Sequence, residues 1–101
     1  MRVDRDGFLR NLNDWNREVA VTLAAAEGLE LTDEHWAVID VLRAFYADTG
    51  LSPSMRPLVK LVSGQLGKDK GNSIYLHKLF PGNPAKLAAK IAGLPRPTNC
   101  I

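Results

Sequence analysis

The sequence predicts a mainly α protein, a small orthogonal helical bundle of about five helices spanning residues 1–93, with residues 94–101 appended as a flexible C-terminal arm. Three observations predict it. Apolar residues recur at helical spacing, most plainly through Trp36, Ile39, Val41, Leu42, Phe45 and Tyr46. Each helical stretch opens on a capping residue and closes near a Gly or Pro. The chain has 101 residues, 46% hydrophobic and 24% charged, enough for one modest core without disulfide or metal. No repeat, low-complexity tract or linker divides it.

Residues 3–9 form a short strand or lead-in, because Asp6-Gly7 is a turn signal ahead of Phe8-Leu9. Asn13 or Asp14 caps a first helix that runs to about Ala26 and ends at Gly28. Trp15, Val19 and Leu23 recur every four residues, which puts Trp15 on its core stripe. The second helix has the clearest limits. Thr32 is its N-cap, Asp33 and Glu34 favour its positive end, and Gly50 closes it. His35 sits in its first turn without a nearby cysteine, and His77 lies far along the chain, so both are structural or surface residues.

Ser52-Pro53 has the form of an N-cap and N1 proline, opening a third helix through about Leu66. Leu58, Leu61, Val62 and Leu66 face inward and Arg56 and Lys60 outward. Helices two and three resemble a helix-turn-helix pair, but they offer a DNA reader mainly Arg56, Lys60 and Gln65. Residues 67–73 make a polar loop without P-loop spacing, and Asn72 or Ser73 caps a short helix over 74–80. Asn83 and Pro84 then open a last helix over 85–92. It buries Leu87 and Ile91 and shows Lys86 and Lys90 on one side.

The first fifty residues hold five Arg and ten Asp/Glu, a net of −5; the remainder hold eight Lys/Arg and one acid, a net of +7. Such asymmetry suits an acidic partner or nucleic acid, or simply solvates two faces of one domain. The first residues lack an apolar leader core, and no apolar run reaches membrane-spanning length. One cysteine, second from the end, makes neither an internal disulfide nor a prenylation signal. These features predict a soluble, cytoplasmic protein.

Catalytic groupings at local spacing are missing: no Ser/His/Asp or Cys/His set, no carboxylate pair and no metal-site spacing. No cofactor is implied. What remains is Cys100. Pro95 and Pro97 stiffen its arm, which at about 3.1 Å per residue reaches up to ~25 Å from the body. A free thiol of pKa ~8.5 is already a few per cent thiolate at neutral pH, and positive neighbours raise that share, although an exposed arm screens Lys90 and Arg96. Such a thiol can attack a sulfur donor but has little equipment for independent turnover. A carrier activated by its partners fits better.

Residues 70–81 (Lys-Gly-Asn-Ser-Ile-Tyr-Leu-His-Lys-Leu-Phe-Pro), Pro84-Ala-Lys86 and residues 90–101 (Lys-Ile-Ala-Gly-Leu-Pro-Arg-Pro-Thr-Asn-Cys-Ile) resemble the TusE/DsrC family of sulfur carriers. Glu34-His35-Trp36, Leu42-Arg43-Ala44-Phe45-Tyr46, and Pro53 with Arg56 and Leu58-Val59-Lys60 extend the likeness over nearly the whole chain. The resemblance implies an orthogonal helical domain, a short N-terminal β element, a mobile arm, and sulfur carried on Cys100. The family's first strand usually precedes the Asp-Gly-Phe-Leu segment, so the β element here is short or truncated. Members of the DsrC type carry a second cysteine eleven residues before the last, where this chain has Ala89. The chain is therefore similar to the TusE branch, which takes persulfide sulfur from the TusBCD complex towards the tRNA thiouridylase MnmA. On this reading Lys86, Lys90 and Arg96 dock acidic partner surfaces or lie near tRNA. The alternatives are a DsrC-like partner of a dissimilatory sulfur complex and a helix-turn-helix DNA-binding protein.

Overall fold

The computed structural model describes residues 2–97 of the chain. A 3-10 turn (Leu12–Asp14) precedes five helices: α1 (Arg17–Ala26), α2 (Asp33–Thr49), α3 (Met55–Leu66), α4 (Ser73–Leu79) and α5 (Pro84–Ile91). One of the two shortest helices is the hub. α5 packs on each of the other four, and α2 also packs on α3. Its composition explains this. Ala85, Ala88, Ala89 and Ile91 are all buried, and the alanines let neighbouring backbones approach from several sides. Leu87, expected inside, is only half-buried, because the core face of α5 runs through its small residues rather than its largest one.

Two helix starts differ from expectation for identifiable reasons. Asn11 caps the 3-10 turn and Asn16 caps α1, its Oδ1 accepting the Val19 N–H at 2.9 Å. Trp15 lies between the two turns in extended backbone and not on the helix stripe. In α3 the N-cap place belongs to Ser54, and Pro53 is buried ahead of the helix. A start at Pro53 would have left Pro57 beyond the first turn, breaking a backbone bond. Starting at Met55 puts Pro57 among the first residues, which have no intrahelical acceptor, and Leu58 N–H then opens the ladder to Ser54 O at 2.9 Å.

α2 matches its expected limits, with Thr32 before it and Gly50 after it at φ 72°. His35 has the structural role expected of it. Its Nδ1 accepts the Thr32 N–H at 3.1 Å, so Nε2 carries the proton and donates to Leu79 O at 2.7 Å. The ring also meets Phe80 edge-on at 5.2 Å. One imidazole thus joins the start of α2 to the end of α4. The other histidine is exposed, with its ring bonded to Ser73 O.

The N-terminal β element reduces to one antiparallel bridge between Val3 and Leu9. Asp4 N–H donates to Phe8 O at 2.8 Å, and Gly7, at φ 90°, turns the chain between them. The turn seats Phe8, 2% exposed, in the core. Among the described residues no helix is long and apolar enough to cross a membrane.

Candidate functional site at the root of the arm

Cys100, Thr98, Asn99 and Ile101 lie outside the described residues, as does the flexibility expected of that stretch. The root of the arm is described. α5 ends in a paired backbone motif: Gly93 N–H donates to Lys90 O at 3.1 Å and Leu94 N–H to Ala89 O at 2.9 Å. Glycine is needed at 93 twice over. The residue sits at φ 74°, and a Cβ there would stand 2.3 Å from Trp15 Cδ1. The Trp15 indole N–H in turn donates to Ile91 O at 2.9 Å, closing the end of α5 from outside. Arg43 does the same from α2, donating to Ala92 O at 2.6 Å with its guanidinium 3.8 Å from the Trp15 ring centre. Burial pushes the Arg43 pKa down from its usual value.

Residues 94–97 of the expected arm are seated on this body. Leu94 is 2% exposed and Pro97 is buried. Arg96 lies between them across the N-terminal turn. Its Nη1 is 2.9 Å from Asp4 Oδ2, its Nη2 donates to Asp6 Oδ2, and the guanidinium carbon stands 4.7 Å from the centre of the Phe8 ring. Asp4 Oδ1 also accepts the Asp6 and Phe8 N–H groups, at 2.9 and 3.0 Å. Partial desolvation pushes the Asp4 carboxyl up, but the Phe8 N–H and Arg96 outweigh it and the pKa falls below its ordinary value. The Asp6 pKa is lowered chiefly by its hydrogen bond to Arg96, and Arg96 is raised by the same pair.

The basic residues expected to dock partners are brought to one side of the molecule but not left equally free. Lys90 is largely covered, 3.1 Å from Glu27 Oε2 and 5.5 Å from the Phe8 ring centre. Lys86 and Lys90 share the wall of a cavity of about 180 Å³ with Glu27, Asn83 and Pro81. Asp4, Asp6, Phe8, Trp15 and Arg43 were not recognised from the sequence as parts of this region. Asp4 and Asp6 stand about ninety residues from Arg96, and no local pattern links them. Away from the arm, a groove of about 580 Å³ between α2 and α3 is lined by Val41, Phe45, Leu61 and Leu66 with Asp40 and Asp48, and none of its lining residues carries a thiol or hydroxyl.

The described residues thus form a helical body that seats the root of a cysteine-bearing tail. The chain belongs to the DsrC-like proteins, whose family pattern matches residues 1–101. It is 50% identical over 98 residues to sulfurtransferase TusE of Salmonella choleraesuis, covering 97% of this chain and 90% of that one. The fold is similar to the NMR structure of Allochromatium vinosum DsrC, with a TM-score of 0.89 and 52% identity over 98% of this chain and 88% of that one. It is also similar to the crystal structure of the oxidised DsrC, the gamma-subunit of dissimilatory sulfite reductase, from Archaeoglobus fulgidus. There the TM-score is 0.85, with 44% identity over 99% of this chain and 91% of that one.

Proposed function

We propose that the chain is a sulfur-relay carrier of the TusE kind, working in the cytoplasm. The observation that carries this reading is a lone thiol at Cys100 with Ala89 at the position of the second family cysteine. Ala89 is fully buried on the hub helix. With one thiol, no intramolecular disulfide can form, and sulfur on Cys100 has to leave to a partner. The Cys100 thiolate attacks the outer sulfur of a donor persulfide. The donor S–S bond breaks, its thiolate leaves, and a new S–S bond holds the sulfur on Cys100. An acceptor thiolate repeats the exchange, so no external oxidant or reductant is consumed. A TusBCD-like complex is the proposed donor. An MnmA-like thiouridylase is the proposed acceptor, leading to 2-thiolation of the tRNA wobble uridine. Lys86, Lys90 and Arg96 are the proposed docking cations.

The likeness to DsrC structures favours a second reading, partnership in a dissimilatory sulfur complex, but Ala89 removes the thiol pair that such chemistry uses. Intact-mass measurement after incubation with cysteine desulfurase, L-cysteine and a TusBCD-type donor tests the carrier role. A gain of about 32 Da that reductant reverses and Cys100→Ser abolishes is expected. An unmodified chain beside an active donor would overturn it.

A further inference from the structure

We infer that Asp4 and Asp6 are positioning residues for the cysteine arm: they clasp Arg96 over Phe8 and so seat residues 94–97, leaving the chain beyond Pro97 to deliver the thiol. This rests on the carrier reading for its purpose, though not for its geometry. The clasp is built from several contacts at once. Two carboxylates converge on one guanidinium, whose face lies over an aromatic ring that is itself 2% exposed. Asp4 is held in place by accepting two backbone N–H groups of its own turn, so its carboxylate is oriented before Arg96 arrives. Leu94 and Pro97 are buried on either side of the clasped residue. The N-terminal turn therefore acts as a bracket for the far end of the chain.

The consequence is a shorter reach. From Leu94, an extended arm would carry the sulfur up to about 25 Å out. With residues 94–97 seated, only Thr98 and Asn99 separate Pro97 from Cys100, and covalent geometry limits those three residue steps to about 11 Å. A donor or acceptor must then bring its own sulfur close to the face formed by Asp4, Asp6 and Phe8. Seating also removes part of the ordering cost from each transfer.

Backbone 15N relaxation on the full chain tests the clasp without any relay partner. Asp6→Asn is the informative variant, because among the described residues the Asp6 carboxylate is hydrogen-bonded to Arg96 alone. In the wild type the heteronuclear NOE of Arg96 should match that of core amides such as Leu42. In Asp6→Asn and in Arg96→Gln it should fall towards that of a free chain end while the core stays unchanged. An Arg96 NOE that is low in the wild type, or unmoved in both variants, would overturn the clasp. Transfer from a persulfide donor should slow by about 3–10-fold in Asp6→Asn, with Asp6→Glu, which keeps a carboxylate for Arg96, restoring most of it. Unchanged transfer with a loosened Arg96 would overturn the positioning role. A wild type that accepts no sulfur would remove the carrier reading and leave the clasp standing.

Discussion

Two junctions in this molecule tie distant segments together, and they are built oppositely. At the start of α2, His35 is 7% exposed and bonds to α4 through the buried Nε2–Leu79 O contact of 2.7 Å. At the arm, Arg96 has a side chain 42% exposed, and its partners Asp4 and Asp6 are 24% and 46% exposed. A buried neutral hydrogen bond leaves unsatisfied groups when broken, so it stays closed while the protein is folded. An exposed ion pair loses little on opening, because water solvates both partners. The same chain thus closes one junction by burial and the other by surface charge.

The largest way to break this contrast is His35→Ala. It deletes a buried ring and strands the Leu79 carbonyl and the Thr32 N–H, and should cost about 3 kcal/mol of folding stability by urea denaturation. Next comes Gly93→Ala, where a positive φ and the close approach of Trp15 should together cost about 2 kcal/mol by the same measurement.

The smallest effect on folding, and the sharpest on the arm, is expected from solution conditions. Asp4 and Asp6 have pKa values below their ordinary 3.8, so their contribution is present above that value and lost as pH falls through the lowered ones. Arg96 is raised above its ordinary value by the same two carboxylates, so the pair is lost from the carboxylate side. Lys86 and Lys90 are the other cations facing the turn. The Arg96 amide NOE should therefore be flat from about pH 5 to 8 and drop below about pH 4. Raising salt from about 0.05 to 0.5 M should loosen Arg96 and leave the His35 junction unchanged.

Much of the fold was legible because caps are local. Thr32, Asn72 and Asn83 mark their helices within one turn, and Gly50 marks an end. The starts of α1 and α3 were misplaced where two capping residues compete within a few positions. There, Pro57 and the packing of Trp15 on α5 decide. The arm's cysteine and its cations were legible as residue types. Their partners were not, since Asp4, Asp6 and Phe8 meet Arg96 only when the two ends of the chain close on each other. Size also misled. Leu87 outranks Ala88 and Ala89 in hydrophobicity, yet the alanines occupy the centre because that site is narrow.

The closed end of α5 has a mechanical consequence. A partner that draws on the tail pulls in series on Pro97, then on Arg96, then on Leu94. Of these, the exposed Arg96 pair gives way to water at small cost. Leu94 does not, because its N–H is tied to Ala89 on a helix that bears on all four others. The load would have to shift the whole core to go further. A pull on the tail therefore meets a stop at Leu94 and does not unravel the body.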